Sequence, residues 1–123
     1  YTMPIFVIQE HNSRNLHWDF RLEIDGVLKS WALPKSPPEK EGVKRLAIEV
    51  DDHDLSYADF EGVIKEGYGK GSVKIWDRGD YEIENKKPEK IVFNLHGKKL
   101  KGKYVLVKTK FGKKDNNWLL FKS

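Results

Sequence analysis

A chain of 123 residues that is 34% charged and carries a formal net charge of +4 has the size of one domain, taken as residues 1–123, and needs no staple to fold. It contains no cysteine, which excludes disulfides, thiolate metal sites and a cysteine nucleophile. No apolar run approaches the roughly 20 residues of a membrane helix, so a soluble, cytoplasmic, monomeric protein without membrane contact is expected.

A sequence pI near 9.2 admits a polyanionic partner without requiring one. Lysine dominates from Lys86 onward, whereas Asp51, Asp52 and Asp54 form an acidic knot. The lysines read equally as a solubilising surface or as a phosphate-tracking one.

In chain order, Pro4 to Gln9 predicts a buried strand, apolar on both sides until Gln9 and Glu10. Asn12 to Asn15 predicts a turn or a single helical turn, because Asn and Ser compete locally for backbone hydrogen bonds. From His17 to Ile24 the pattern is that of a strand with two unlike faces. Trp18, Phe20 and Leu22 lie on one face, and His17, Asp19, Arg21 and Glu23 on the other. Asp25-Gly26 is a hairpin signal, and Val27 to Leu33 returns with Trp31 and Leu33 as core.

Three prolines between Pro34 and Pro38 stop regular structure through Gly42. Arg45 to Asp51 alternates again, with Leu46, Ile48 and Val50 expected in the core and Arg45, Glu49 and Asp51 opposite, leading to a loop that carries His53. Ala58 to Gly62 predicts a turn or short helix. Glu66 to Gly71 is glycine-rich but lacks a phosphate-loop spacing, so a tight turn is expected. Val73–Trp76 and Tyr81–Glu84 predict strands around a turn at Asp77-Arg78-Gly79-Asp80. Ile91–Leu95, Gly102–Thr109 and Trp118–Lys122 complete the strands, joined by His96–Lys99 and Gly112–Asn117. No segment has a long helical period. The fold class is all-β: a compact closed or nearly closed β-barrel of about eight short strands with one or two short helical turns.

No serine sits in a nucleophile elbow, so acyl chemistry is a poor fit. A solvated strand face is the commonest explanation for a polar side, and this chain would fill one with lysine. Instead two of its four histidines fall between His11 and His17, and His53 lies in the acidic knot. His11, Asp19 and His53 form a candidate set of two imidazoles and a carboxylate that suits Mn, Fe, Co or Zn. Arg21 and Arg45 project from strands assigned to the core, where an unpaired guanidinium is costly. Their anion is either a protein carboxylate, Glu23, Glu49 or Asp51, or a substrate phosphate gripped in bidentate fashion.

The run from His11 to Glu23, His-Asn-Ser-Arg-Asn-Leu-His-Trp-Asp-Phe-Arg-Leu-Glu, followed by Asp25 to Lys35, Arg45-Leu46-Ala47 and Asp52 to Gly62, resembles the 3'-phosphoesterase domain of bacterial DNA ligase D. Trp76-Asp77-x-Gly79, the stretch Gly97 to Gly102 and the closing Asn117-Trp118-Leu119-Leu120 extend the resemblance over essentially the whole chain.

The resemblance implies a β-barrel enzyme, free of ligase and polymerase modules, that heals DNA 3' ends with Mn2+ as the preferred metal and Co2+ or Zn2+ as substitutes. A phosphodiesterase step trims a terminal ribonucleotide, and a phosphomonoesterase step exposes the 3'-hydroxyl. His11, Asp19 and His53 fall on the metal ligands. His17, Arg21, Lys35, Arg45 and Tyr57 fall on active-site positions, with His17 as phosphate donor or general acid and Glu23 and Asp51 as supporting acids. Its partners would be DNA or RNA-tipped primer 3' ends, with separate ligase and polymerase proteins. The chain departs from the family in lacking a longer N-terminal arm and in having a shorter glycine loop.

Two rival readings stand beside this one. A non-haem iron oxygenase needs two histidines and a carboxylate, but has less use for Arg21, Arg45 and Lys35 together. A non-catalytic single-stranded nucleic-acid-binding barrel would offer Trp18, Tyr68 or Trp118 as stacking platforms.

Overall fold

The computed structural model describes residues 3–65, 70–109 and 116–123. Nine strands and one short 3-10 helix make up its regular structure: β1 (Ile5–Asn12), β2 (Leu16–Ile24), β3 (Val27–Leu33), β4 (Lys44–His53), the helix Leu55–Asp59, β5 (Gly62–Ile64), β6 (Gly71–Lys87), β7 (Lys90–His96), β8 (Lys101–Lys108) and β9 (Asn117–Lys122). The sheet runs β1-β2-β3-β4-β9-β8-β7-β6, and β6 returns to pair with β1, so eight antiparallel strands close a barrel while β5 hangs on β6. This is the expected all-β barrel, and closure removes the open edges that eight short strands would otherwise present.

Alternation decides what goes inside. On β2, Phe20, Leu22 and Ile24 point inward and meet Phe6 and Ile8 of β1, Trp31 and Leu33 of β3 and Phe93 of β7 in one core. Phe20 is the hub, with ring centroids 6.4 Å from Trp31 and 5.9 Å from Phe93. Fully burying each such side chain contributes about 1.5–3 kcal/mol, so the inward face fixes the register of β2. Asp25 and Gly26 supply the turn to β3 with φ of 54° and 82°, the paired positive values of a type I′ hairpin. By parity, Asp19 and Arg21 then point out of the barrel.

Two strands depart from their sequence pattern. On β4, Ala47 is fully buried, while Leu46 and Val50 are 40% and 39% exposed. The apolar alternation is inverted: the face of β4 that carries Ala47 and Glu49 is the one in register with Trp118 and Trp31, whose indoles lie 5.8 Å apart edge to face. Glu49 accepts the Trp118 indole N–H at 3.0 Å. Leu46 instead pairs with Leu119 on the outer surface.

The second departure is Asp77 to Asp80, which is no turn but the middle of the 17-residue strand β6. Here β6 passes from pairing with β1 to pairing with β7. The buried Asp77 carboxylate accepts N–H groups from Arg78, Lys98, Lys99 and Leu100 at 2.8–3.0 Å. The residues that resemble a turn therefore anchor the neighbouring β7–β8 connection.

The Pro34–Gly42 segment lies at the end of the barrel, with Pro37 and Pro38 buried and the Pro38 carbonyl accepting the Tyr104 hydroxyl at 2.9 Å. The glycine-rich turn expected at Glu66–Gly71 and the connector expected at Gly112–Asn117 fall largely on residues 66–69 and 110–115, outside the described residues.

Replacing Asp77 by Ala leaves four backbone donors without their charged acceptor. The expected loss is about 3 kcal/mol or more, read as a lower urea midpoint, with Asp77→Asn falling between Ala and wild type. An Asp77→Ala protein as stable as wild type would remove this account of β6.

Candidate metal and anion site

The polar outer faces of β1, β2, β3 and β4 meet at one place. His11 pairs with His17 and Gln9 with Asp19 across β1 and β2, and Arg21 pairs with Ser30 across β2 and β3. The β3–β4 register shifts between Leu28 and Ser30, so that Ser30 faces Val50 but Leu28 faces His53. This irregularity re-aims the end of β4 and brings His53 to Arg21. His53 is thus the last residue of a strand rather than part of a loop.

Asp19 is the centre. Its Oδ1 lies 3.3 Å from His17 Nε2, and its Oδ2 lies 3.7 Å from His11 Nδ1 and 3.3 Å from Arg21 Nη2. Among the described residues, one potential ligand atom from each of His11, His17 and Asp19 falls within 4.8 Å of the others. Burial opposes ionisation of Asp19, yet the His17 hydrogen bond and the Arg21 charge outweigh it and hold the carboxyl below its usual range. The same hydrogen bond raises the His17 pKa against the opposing effect of burial. His17 Nδ1 donates to the Asn15 carbonyl at 3.2 Å, which leaves Nε2 for Asp19. A ring N–H fixed on a backbone carbonyl is the support that metal-binding imidazoles usually have.

Arg21, buried on the outside of the barrel, is met on almost every side. Its Nε donates to Gln9 Oε1 at 2.6 Å, Nη1 to Ser30 Oγ at 2.7 Å and to His53 Nδ1 at 3.1 Å, and Nη2 to Asp19. His53 Nδ1 lies 3.1 Å from Arg21 Nη1 and 3.2 Å from the Asp51 carbonyl, so it accepts from the guanidinium in one tautomer and donates to the carbonyl in the other. Burial first, then Arg21, lowers the His53 pKa and so favours the neutral ring. Tyr57, from the 3-10 helix, packs its ring on His53 at 4.7 Å and lies under the Arg21 guanidinium at 4.9 Å. Burial raises its hydroxyl pKa.

The expected residues therefore divide. His11, His17, Asp19, Arg21, His53 and Tyr57 come together, but His17 takes the place beside Asp19 that the sequence suggested for His53. Asp51 is exposed, and its carbonyl lies 3.2 Å from His53 Nδ1. Glu23 is displaced: its carboxylate accepts the Ile5 N–H at 3.0 Å and ties down the start of β1. From Asp19 it is four residues along the strand, about 13 Å. Arg45 donates from Nε to the Ser36 carbonyl at 2.7 Å, and no carboxylate among the described residues pairs with it. It thereby fixes the carbonyl next to Lys35, which is exposed at the barrel end. Trp18 packs against the core and Trp118 is part of it, so neither is a stacking platform. Tyr68 is outside the described residues.

Sequence reasoning passed over Gln9 and Ser30. Gln9 is fully buried, with Nε2 donating to the carbonyls of Tyr57 and Phe60 at 2.8 and 3.2 Å. It fastens the 3-10 helix to Arg21. The available signal was a single glutamine ending an apolar run at the same parity as His11.

A small antiparallel barrel with two imidazoles and a carboxylate on its outer wall, sharing that carboxylate with a buried guanidinium, belongs to the class of proteins equipped to hold a metal ion beside an anion. The comparison with known families narrows the class: the model of the DNA Ligase D 3'-phosphoesterase domain matches residues 9–108, and the chain belongs to that family. It is 47% identical over 124 residues to the multifunctional non-homologous end joining protein LigD of Pseudomonas aeruginosa, covering 96% of this chain and 15% of that protein. Against the Mycobacterium tuberculosis multifunctional non-homologous end joining DNA repair protein LigD the identity is 50% over 109 residues, covering 85% of this chain and 14% of the relative. With the Mycolicibacterium smegmatis protein it is 48% over 126 residues, 93% and 16%. The chain thus spans only about a seventh of the length of these curated relatives.

Gln9→Ala strips the acceptor from Arg21 Nε–H and the donor from two carbonyls. A loss of about 1–3 kcal/mol is expected for the unsatisfied guanidinium donor, measured by urea denaturation with an unchanged slope. A stability equal to wild type would show that Gln9 does not hold Arg21.

Proposed function

We propose that the protein is a metal-dependent phosphoesterase that heals DNA 3' ends during repair, removing a terminal ribonucleotide by a phosphodiesterase step and a 3'-phosphate by a phosphomonoesterase step. The observation that carries this reading is the shared Asp19 carboxylate, which places metal-type donors and a buried guanidinium on the same small surface. The family match supports the reaction class and the DNA end as substrate. The protein would act in the cytoplasm as a monomer, in sequence with ligase and polymerase activities.

In this reading His11, His17 and Asp19 hold a divalent cation, with Mn2+ preferred and Co2+ or Zn2+ able to replace it. Their two nitrogens and one oxygen suit such an ion, and positions remain for water and substrate. When bound, the ion supplies Lewis-acid polarisation of a phosphoryl oxygen. The chain's own groups do the rest. Four of the five Arg21 N–H donors have protein partners, which fixes the guanidinium so that the fifth is aimed without reorganisation. His53, kept neutral by burial and by Arg21, serves as a hydrogen-bond donor to the phosphate through Nε2 in the tautomer that accepts from Arg21, the donor role sequence reasoning gave to His17. Tyr57 orients His53, and Asp51 lends a negative charge beside it. Lys35 and Arg45, at the barrel end, offset charge on the phosphoryl oxygens. Glu23 acts on the fold alone. The oxygenase alternative loses ground because an arginine braced with one N–H donor left over suits an anion, and the binding-module alternative because Trp18 and Trp118 pack with the core.

A labelled primer ending in a ribonucleotide or a 3'-phosphate, incubated with Mn2+, should be trimmed and dephosphorylated, and chelator should abolish both reactions. Asp19→Ala should lower both by about a hundredfold or more and weaken Mn2+ binding. Arg21→Lys, which keeps the charge and loses the fork, should cost about a hundredfold in rate. Phosphate release at wild-type rate in chelator would sink the metal-dependent reading.

The raised pKa of His17 has a sign that can be tested. A proton and a metal ion compete for Nε2, so apparent Mn2+ affinity should weaken as pH falls, and the competition should begin above the ordinary imidazole value of 6.5. Calorimetric titrations at successive pH values should show proton release on binding. Affinity independent of pH would exclude His17 as a ligand.

A further inference from the structure

Charge is distributed unevenly along the barrel axis. The strand registers gather three segments at the end nearest His11 and His17: the bend Ser13–Asn15, the 34–43 segment that follows Leu33, and the start of β4. Arg14, Lys40 and Lys44 there are exposed, and among the described residues none forms an ion pair with a carboxylate. Glu39 and Glu41 are the acids of the same segment. At the opposite end of β4, on either side of His53, stand Asp51, Asp52 and Asp54, with Asp59 and Glu61 following. The cations there are already engaged: Lys29 pairs with Asp52 at 3.4 Å and Arg78 with Asp59 at 2.7 Å. Lys44 and Asp52 are eight residues apart on one strand, about 26 Å. That is well beyond the Debye length of about 8 Å at physiological salt, so each end acts on its own surroundings.

The bend that carries Arg14 is held in place. Ser13 Oγ donates to the Asn15 carbonyl at 3.2 Å. Gly71 of β6 lies so close to Asn12 and Ser13 that a Cβ there would collide with the Asn12 carbonyl, which only a glycine avoids. Arg14 is thus presented from a braced turn between the two candidate ligands His11 and His17. It reaches solvent, and nothing in the site described above uses it.

Resting on the phosphoesterase reading, we propose that Arg14, Lys40 and Lys44 form a docking surface for the sugar–phosphate backbone of the DNA strand whose 3' end occupies the site. The nucleic acid then leaves over the imidazole end of the barrel, and the 3' terminus points toward His53 and the acidic end. A phosphate chain meets favourable charge in only one of the two directions it could take. The contacts are to backbone phosphate, so they favour long substrates without reading sequence.

The test compares a 3'-phosphorylated dinucleotide, too short to reach this surface, with a 3'-phosphorylated primer annealed to a template, both in Mn2+ at several salt concentrations. In Arg14→Glu/Lys40→Glu/Lys44→Glu the ratio of kcat/KM for the primer to that for the dinucleotide should fall by about tenfold or more. The slope of log kcat/KM against log salt on the primer should become shallower by about two. Anisotropy of the labelled primer should show the same loss in binding. Lys86→Glu, whose lysine pairs with Asp25 at the β2–β3 turn, the end of β2 away from Arg14, should keep the wild-type ratio and slope. A triple variant with the wild-type ratio, slope and affinity would overturn the proposal, as would an equal effect of Lys86→Glu. Failure of the wild-type protein to release phosphate from either substrate would instead refute the phosphoesterase reading.

Discussion

A guanidinium buried on the outer wall of a barrel is the constraint to which the rest of the site answers. Arg21 and Asp19 at 3.3 Å attract each other by about 5 kcal/mol at an effective dielectric constant near 20, while desolvating two ions costs several kcal/mol each. The pair alone gains little. What makes the arrangement tenable is that Gln9, Ser30 and His53 take three of the other four donors, so that most of the desolvated N–H groups are matched. Each of those partners is thereby fixed, and so is Tyr57, whose ring and carbonyl both join the network. The rigidity of the site is a consequence of having to satisfy one buried cation.

The same carboxylate that balances Arg21 faces two imidazoles, and this separates the histidines by environment. His17 sits against an anion and holds its proton more tightly. His53, more deprived of water than its neighbours repay and then set against a cation, holds it less. Burial together with neighbouring charges of opposite sign has given two similar side chains different proton affinities.

Much of this was legible in the sequence, and the missing parts of the site have one cause. The two faces of β2 follow from alternation within a single strand, and the Asp25-Gly26 hairpin from local backbone preference, so neither needs knowledge of a partner. The barrel followed from many short strands without helical period. Which histidine meets Asp19 depends on the cross-strand register of β1 with β2 and on the irregularity between β3 and β4, and no local pattern encodes either. Gln9 and Ser30 were missed for the same reason. On β4 the failure was different in kind: Leu46, Ile48 and Val50 alternate correctly, but it is the other face, with Ala47 and Glu49, that lies in register with the two indoles. Asp77 to Asp80 has the composition of a turn because a buried carboxylate was needed there to gather backbone donors from a neighbouring connection.

These points bear on why the chemistry lies outside the barrel. Its interior is filled by Phe6, Phe20, Trp31, Tyr81, Phe93 and Tyr104, and an eight-stranded barrel has just enough room for such side chains. No ionic site could be placed there without the desolvation that Arg21 already strains to offset. The outer wall of β1 to β4 offers the same rigid backbone with solvent on one side, where an anionic polymer can approach. A half-covered site of this kind needs only the short helix bearing Tyr57 as a flank, and Gln9 holds that flank from below. The wall thus gives precise spacing from the packed core behind it, and access from the water in front.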